Sequence, residues 1–248
     1  MDSFLFPKLV NSNVLLTNAS GIYNDSIAEF VLFCILSHAK QRRLLESQQR
    51  NHEWRHATSA TVKESNAVIY GVGSIGRTVG KTLTKLGLHV RGIDPYTSVA
   101  EGFECIYRNA DMREAAAWSD YFIICAPLTE QTRHSVNAEI FDAMKASCHV
   151  INVGRGPIID ETALVQALTS GSIGSASLDV FETEPLPSDN PLWEMENVHI
   201  SPHISGDAGD FELALIRQFA DLADMWFHGH DFPSAVDKKR GYAHTRQN

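Results

Sequence analysis

The sequence predicts an α/β fold in which a doubly wound parallel sheet is covered by helices on both faces. Its candidate strands are short, continuous apolar runs, which is typical of strands that are buried on both faces. These runs alternate with helical segments along most of the 248 residues, and that order builds parallel sheets from strand–helix–strand units. The chain is long enough to bury the core of one large domain.

The first long element is a predicted helix from Asn24 to about Gln49. Polar residues 24–26 can cap its start, and residues 50–65 are polar and predict a loop. A short strand over Val14–Thr17 is predicted ahead of this helix. The apolar positions of the helix follow helical spacing and are Ile27, Phe30, Val31, Cys34, Ile35 and His38.

The remainder of the chain alternates between strands and helices. The predicted strands are Ala67–Tyr70, Leu88–Ile93, Tyr121–Cys125, His149–Val153, Ser175–Val180 and Val198–Ile200. The predicted helices are Ile75–Leu86, Met112–Trp118, Ala138–Lys145, Glu161–Thr169 and Phe211–His228. The last helix carries one apolar stripe, for which we expect core packing. The members of the stripe are Phe211, Leu215, Phe219, Leu222 and Trp226.

Charge and hydropathy exclude several classes of function. A net charge of −9 argues against a nucleic-acid or anionic-membrane partner. The longest apolar run, Phe30–Leu36, is too short to span a bilayer, and no basic segment suggests a secretory signal. The one basic cluster, Lys238–Arg240, is interpreted as a solvated terminus in preference to a docking site. Four scattered cysteines argue against structural zinc and favour reduced thiols in the cytoplasm.

A glycine loop indicates a dinucleotide site. Gly71, Gly73 and Gly76 follow a predicted strand and open a predicted helix, which suits close approach of a pyrophosphate. Asp94 ends the next strand, where an acid can hold the ribose hydroxyls of NAD and repel the 2′-phosphate of NADP. The turn after it, residues 95–98, offers no arginine, so NAD is favoured over NADP. A glycine turn without a ligand remains the alternative.

Three polar segments follow predicted strands, where ligands bind in open parallel sheets. They are NVGRGPIID, LDVFETEPLP and HISPHISG, and they carry Arg155, Glu184 and His203. Arg155 can clamp a substrate carboxylate, His203 can exchange a proton with a C2 oxygen, and Glu184 can orient that histidine. Asp179 can orient Arg155 or a nicotinamide amide. Taken singly, each residue also has a structural interpretation, such as pairing between Arg155 and Asp179. The glycines beside Arg155 have no side chain, and we expect this to let cofactor and substrate approach the backbone closely.

Five motifs together resemble the D-isomer-specific 2-hydroxyacid dehydrogenase family. They are GVGSIGR, CAPLTEQTRHSVNAEIFDAMK, INVGRGPIIDETALVQAL, LDVFETEPLP and SPHISG, and the resemblance covers about residues 14 to 232. It implies hydride transfer between NAD and C2 of a D-2-hydroxy or 2-oxo acid, with Arg155, Glu184 and His203 as the catalytic residues. It also implies a homodimer formed through the nucleotide-binding domain. The cofactor-binding positions that it implies are Gly71, Gly73, Ser74, Ile75, Gly76, Asp94, Ala126, Pro127, Thr132, Val153, Asp179, His203 and Gly206.

The chain departs from the family pattern in two ways. Family members have a second, flavodoxin-like lobe, of which only remnants are expected here. The resulting division assigns residues 1–20 and 232–248 to that lobe and residues 21–231 to a Rossmann-type NAD-binding domain. Tyr23 stands where many members carry asparagine. Two functions therefore stay open, a truncated dehydrogenase with slow turnover and a non-catalytic NAD(H)-binding interaction or sensor module.

Overall fold

The computed structural model describes residues 5–209, 211–230, 232, 235–239 and 242–243. A seven-stranded parallel sheet with the strand order β3-β2-β1-β4-β5-β6-β7 forms its centre, and the predicted fold class is confirmed. Sequence order reverses between β1 and β4, and in such sheets ligands bind beside that point. The strands are β1 Asn66–Tyr70, β2 His89–Ile93, β3 Ile106–Tyr107, β4 Tyr121–Ile124, β5 His149–Asn152, β6 Ser175–Leu178 and β7 Val198–Ile200.

Helices cover both faces of the sheet. Helices α2 (Asn24–Ala39) and α4 (Ser74–Lys85) pack on one face, with Ile123 of β4 in their core. Three helices pack on the other face, and their core contains Phe122 and Ile124 of β4. They are α5 (Met112–Trp118), α6 (Ala138–Ala143) and α7 (Glu161–Ser170). Both sides of β4 are therefore buried, which explains its uninterrupted apolar run.

The helix predicted from Asn24 to Gln49 is two helices. Helix α2 ends at Ala39, Gln41 has φ 53, and α3 spans Arg42–Arg50. The loop after α3 returns to this break, where the Ala60 amide donates to the Ala39 carbonyl at 3.0 Å. The Gln41 side chain donates to the Thr58 carbonyl at 2.7 Å. These contacts join residues that are far apart in the sequence, and the local pattern of residues 24–49 does not reveal them.

The terminal segments also differ from the sequence expectation. A short helix, α1 (Pro7–Val10), begins the described chain, and the strand predicted over Val14–Thr17 is wrong. Only Thr17 pairs, in an isolated antiparallel bridge with Ala235. A small antiparallel pair follows near the carboxyl end, formed by β8 (Val236–Asp237) and β9 (Tyr242–Ala243).

Segments near the two ends of the described chain lie together. The Val236 amide donates to the Leu16 carbonyl at 2.8 Å. The Lys238 ammonium donates to the carbonyls of Leu9 at 3.1 Å and Val14 at 2.9 Å. Lys238 therefore holds the amino-terminal segment, and its interpretation as part of a solvated terminus is wrong. The division into residues 1–20, 21–231 and 232–248 stays a prediction.

Helix α8 (Phe211–Phe227) does not pack into the core as its apolar stripe predicts. None of its residues is buried, and 72% of Phe219 and 63% of Trp226 are exposed. Its contacts with the domain include the Phe211 ring, which lies 5.7 Å from that of Tyr23, and the Gln218 side-chain amide, which donates to the Ser20 carbonyl at 2.9 Å. The amphipathic pattern shows which face is apolar, but it does not show whether another element covers that face. No helix in the described ranges could cross a membrane.

Candidate active site

The glycine loop connects β1 to α4 and is open on one side. A Cβ atom added at Gly71, which has φ +97, would lie 2.6 Å from the Cα atom of Ala126. A Cβ atom at Gly76 would lie 2.0 Å from the carbonyl oxygen of Gly71. At Gly73 the same atom would meet nothing within 4 Å. Packing therefore requires the first and third glycines, while the second faces space in which a pyrophosphate fits.

The first turn of α4 is tied to the start of α2. Ser74 begins α4, and its hydroxyl oxygen accepts a 2.8 Å hydrogen bond from the Asn24 side-chain amide. This contact leaves the Ser74 hydroxyl proton free to point toward a phosphate at the helix amino terminus. Sequence reasoning missed Asn24, because nothing in the pattern links two polar residues that are 50 positions apart.

The Asp94 carboxylate fixes both the glycine loop and the turn after β2. One carboxylate oxygen accepts from the Val72 amide at 3.0 Å, and the other accepts from the amides of Tyr96 at 2.9 Å and Thr97 at 2.8 Å. The Arg108 guanidinium donates to the carbonyls of Asp94 at 3.0 Å and Thr97 at 3.2 Å. The turn has no arginine in its own sequence, but the fold brings Arg108 to it from the end of β3.

The loops after β4 and β5 form the next part of this edge. Ala126 and Val153 are buried, and Pro127 is exposed beside them. The Thr132 hydroxyl donates to the Pro127 carbonyl at 2.7 Å, so Thr132 shapes the turn between the two. Ile75, half-buried, follows Ser74 in the first turn of α4. The structure thus brings these predicted cofactor positions to the same sheet edge as the glycine loop.

Arg155 follows β5 on a loop that Asn152 shapes. The Asn152 side chain donates to the Arg155 carbonyl at 3.1 Å and accepts from the Gly154 amide at 3.0 Å. The half-buried Arg155 guanidinium donates to the Gly154 carbonyl at 2.7 Å. A Cβ atom at Gly154 would lie 2.8 Å from the Ala126 carbonyl oxygen, and one at Gly156 would lie 1.8 Å from the Phe181 backbone. Packing against neighbouring loops therefore requires both glycines, and their expected role beside cofactor and substrate stays a prediction.

Glu184 and His203 form a hydrogen-bonded pair. Their Oε2 and Nδ1 atoms lie 2.8 Å apart, and the other Glu184 carboxylate oxygen accepts from the Phe181 amide at 3.0 Å. His203 is exposed and has φ 58. Because Nδ1 faces the carboxylate, Nε2 is the ring nitrogen left for proton exchange with a substrate. Glu184 is itself exposed, and its two carboxylate oxygens are held by His203 and the Phe181 amide.

Asp179 follows β6 and holds the loop that carries His203. Its fully buried carboxylate accepts from the Ser201 hydroxyl at 2.6 Å and from the amides of Ile204 and Ser205, both at 2.9 Å. Next to this loop, a Cβ atom at Gly206 would lie 3.0 Å from the Tyr23 ring. Asp179 thus acts in the structure as a positioning group for His203.

The described residues at this edge support neither a metal site nor a cysteine nucleophile. No group of three His, Cys, Asp or Glu side chains among the described residues is arranged to hold a metal ion. Cys125 precedes Ala126, but burial raises the pKa of its thiol to about 12. The thiol therefore stays protonated at neutral pH and does not serve as a nucleophile.

Comparison with known proteins identifies the family. Residues 32–205 match the model described as "D-isomer specific 2-hydroxyacid dehydrogenase, NAD binding domain". The chain belongs to this family. Among the relatives, glyoxylate reductase from Thermofilum pendens is 33% identical over 215 residues. Those residues are 82% of this chain and 62% of the relative.

Two further proteins are similar to this chain along most of its length. Glyoxylate/hydroxypyruvate reductase B from Erwinia tasmaniensis is 32% identical over 231 residues, which are 89% of this chain and 70% of the relative. A D-isomer specific 2-hydroxyacid dehydrogenase from Xanthobacter autotrophicus Py2, solved in complex with NADPH and MES, superimposes with a TM-score of 0.86 at 34% identity. That match covers 95% of this chain and 98% of the solved chain.

Proposed function

We propose that the chain binds NAD(H) and supports hydride transfer between nicotinamide and C2 of a D-2-hydroxy or 2-oxo acid. The observation that carries this proposal is the Glu184–His203 pair with its 2.8 Å contact. It lies at the same edge of the sheet as the Arg155 loop and the glycine loop, at the carboxyl ends of the parallel strands. The reductase names of two relatives support the same class of reaction.

Each side chain has one task in the reduction of a 2-oxo acid. Bound NADH supplies the hydride to C2. Arg155 binds the substrate carboxylate through its planar guanidinium. Protonated His203 gives the proton on Nε2 to the C2 oxygen, and Glu184 stabilises the imidazolium before that transfer. The overall change is 2-oxo acid, NADH and a proton to 2-hydroxy acid and NAD⁺, and the reverse direction uses neutral His203 as the base.

We propose NAD(H) as the preferred nucleotide. The Asp94 carboxylate lies beside the glycine loop, 3.0 Å from the Val72 amide. A negative charge at this position repels a 2′-phosphate and can accept a hydrogen bond from a ribose hydroxyl. The NADPH in the Xanthobacter structure is a property of that protein. Titration of this chain with NADH and NADPH measures the preference directly.

Catalysis is tested with NADH and a panel of 2-oxo acids that includes glyoxylate and hydroxypyruvate. We expect Arg155→Ala and His203→Ala each to lower NADH oxidation by at least about 100-fold, since substrate positioning by Arg155 and acid–base catalysis by His203 each contribute on that order. NADH affinity should change by less than about twofold. The exposed Arg113 lies outside the site, and Arg113→Ala is the matched control. High protein concentration makes slow turnover measurable. Loss of NADH binding together with turnover would mark Arg155 as a structural arginine.

A second candidate function is an NAD(H)-binding interaction module without turnover. The exposed apolar side chains of α8, above all Phe219 and Trp226, favour it because large exposed apolar patches mark interaction surfaces. The same assay discriminates the two functions. NADH binding without oxidation by any 2-oxo acid, at any protein concentration, favours the module, whereas oxidation that depends on His203 favours the enzyme.

We also propose that two copies associate through α3 and the loop after it. Helix α3 has no buried residue, Leu44 and Leu45 are 44% and 46% exposed, and Trp54 is fully exposed. Sedimentation analysis should show a dimer, and Trp54→Ser should shift the equilibrium toward monomer. A wild-type monomer at micromolar concentration would refute this assembly.

We also propose that the protein is located in the cytoplasm. All four cysteines are free thiols, and a reducing compartment keeps thiols in that form.

A further inference from the structure

Three loops of the candidate site meet at one ion pair. Nε2 of His134, on the loop after β4, lies 2.8 Å from the Oε1 atom of Glu182, on the loop after β6. The same oxygen accepts a hydrogen bond from the Glu161 amide at 3.2 Å. Glu161 begins α7, directly after the loop that carries Arg155. The His134–Glu182 pair therefore joins the loops that follow β4, β5 and β6.

The backbone of His134 contacts the Arg155 loop directly. Its amide donates to the carbonyl of Pro157, two residues after Arg155, at 2.8 Å. His134 has φ 50, a conformation that a non-glycine residue keeps only where its surroundings hold it. His134 is thus tied to the Arg155 loop by its own amide and, through Glu182, by its side chain.

Glu161 and Glu182 also bind each other's backbone. The Glu182 amide donates to Oε2 of Glu161 at 3.2 Å, in exchange for the hydrogen bond from the Glu161 amide. The other Glu161 oxygen accepts from the Asn190 side chain at 2.7 Å. This exchange brings two carboxylates together, and like charges repel each other. A donor from His134 offsets that repulsion and stabilises the contact between the two loops.

Residues 181 and 182 connect the surroundings of Arg155 to Glu184. A Cβ atom at Gly156 would lie 1.8 Å from the Phe181 carbonyl carbon and 2.5 Å from the Glu182 nitrogen, so the Arg155 loop packs tightly on this backbone. The Phe181 amide donates to the Glu184 carboxylate at 3.0 Å. A shift of Glu182 would therefore move the neighbours of Arg155 and of Glu184 together.

We propose that His134 and Glu182 are positioning residues for the substrate carboxylate. Their ion pair holds the Arg155 loop against the segment that carries Glu184, and both residues act through Arg155. The inference rests on the proposed function and deepens it. Arg155 binds the carboxylate before and during hydride transfer, so loss of the His134–Glu182 pair should weaken substrate binding more than the chemical step.

Steady-state kinetics with NADH and the 2-oxo acid that the wild type reduces fastest test this role. His134→Ala should raise KM for that acid by about fivefold, because the two side chains are 45% and 35% exposed and an exposed ion pair contributes modestly. kcat and the Kd of NADH should each change by less than about twofold. His134→Gln keeps an N–H donor for Glu182 and should restore most of the wild-type KM.

Two further variants separate positioning from a general loss of structure. His52→Ala is the matched control, because His52 is also an exposed histidine with a positive φ, 55. This control should leave KM unchanged. Glu182→Ala removes the ion pair from the other side, and it replaces His134→Ala where that variant does not fold. His134→Ala should add nothing to the KM of Glu182→Ala.

Hydrogen–deuterium exchange tests the same contact without turnover. The amides of residues 158–161 should exchange about fivefold faster in His134→Ala than in the wild type, because local opening of the loop becomes easier by the same factor. His52→Ala should leave their exchange unchanged.

An unchanged KM in His134→Ala, an equal rise in His52→Ala, no recovery in His134→Gln, or unchanged exchange of residues 158–161 would each overturn the inference. A wild type that reduces no 2-oxo acid would instead refute the proposed function. The exchange measurement would then still decide whether the His134–Glu182 pair holds the Arg155 loop.

Discussion

The loop that carries His203 depends on one buried carboxylate. His203 has φ 58, a conformation that costs a non-glycine residue about 1 kcal/mol or more. Asp179 stabilises this conformation by accepting three hydrogen bonds from the residues around His203. The proton-exchanging group is thus positioned by a side chain that itself lies away from solvent.

Asp179→Ala should therefore lower the free energy of unfolding by at least about 3 kcal/mol, because it leaves three donors, two of them buried, without their acceptor. The matched control is Asp207→Ala, which removes an exposed carboxylate from the same loop and should change stability by less than about 0.5 kcal/mol. Urea denaturation measures both. Equal effects of the two substitutions would show that Asp179 does not hold the loop.

The hydrogen bond between Asn24 and Ser74 connects α2 to the first turn of α4. Asn24→Ala should weaken NADH binding by about fivefold, since one hydrogen bond contributes about 1 kcal/mol. Asn24→Ala should give no further loss in the Ser74→Ala background, because Asn24 acts through the Ser74 hydroxyl. Glu29→Ala, an exposed change on the same helix, serves as the control. Fully additive effects in calorimetric titrations would contradict the pairing.

The sequence predicts some groups of the candidate site well and others poorly. The chemical identities of Arg155, Glu184 and His203 follow from motifs at strand ends, and the structure places Glu184 and His203 in contact. The partners of Asp94, in contrast, are backbone groups and an arginine from another strand. Every residue type except proline has a backbone N–H donor, so residue identities do not predict which amides bind Asp94. The approach of Arg108 depends on the register of β3 beside β2.

Strand β5 carries a histidine into the core. The His149 ring stacks on that of His38 in α2 at 4.4 Å and bonds to the hydroxyls of Ser175 at 2.6 Å and Ser177 at 3.0 Å. Burial lowers the pKa of His149 to about 3, with smaller contributions from His38 and His199. Burial also lowers the pKa values of His38 and His199.

This arrangement predicts acid sensitivity. The ordinary histidine pKa is 6.5, so the unfolded chain takes up a proton at residue 149 as the pH falls below 6.5, while the folded chain does so only near pH 3. Stability is lost across that window, by about 1.4 kcal/mol for this group between pH 7.5 and 5.5. His149→Gln should reduce the pH dependence of unfolding by this amount, and the exposed control His56→Gln should not. Unchanged pH dependence in His149→Gln would refute the assignment.

The exposed stripe of α8 makes a prediction about stability. Phe219→Ser should change the free energy of unfolding by less than about 0.5 kcal/mol, because the ring is 72% exposed. The matched change in the core, Phe141→Ala at a fully buried ring, should cost about 3–5 kcal/mol. Thermal denaturation compares the two. A large loss in Phe219→Ser would mean that α8 is covered in solution.

The elements of the sheet were predictable and the ends of the chain were not. The strands from β1 to β7, apart from β3, lie within two residues of their predicted bounds, because burial on both faces produces uninterrupted apolar runs. Strand β3 has only two residues and gives no pattern. The break at Gln41 and the exposure of α8 depend on contacts between distant segments, which periodicity does not encode.

Across the whole molecule, the carboxyl edge of one parallel sheet gathers every candidate group. The glycine loop follows β1, Asp94 follows β2, and Arg155 follows β5, while Glu184 and His203 lie on the loops after β6 and β7. Sequence order alone spreads these positions over more than 130 residues. The parallel topology brings them to one edge, which is why motifs at strand ends predict a shared site.

Calorimetric titration of the wild type and Gly73→Ala with NADH tests this account most directly. The wild type should bind NADH. A methyl group at Gly73 meets no protein atom within 4 Å, so Gly73→Ala should keep the thermal stability of the wild type within about 1 kcal/mol. It should nevertheless weaken NADH binding by at least about tenfold, because the methyl group occupies the space that a pyrophosphate needs. A folded wild type that does not bind NADH, or a Gly73→Ala variant with unchanged affinity, would contradict the account.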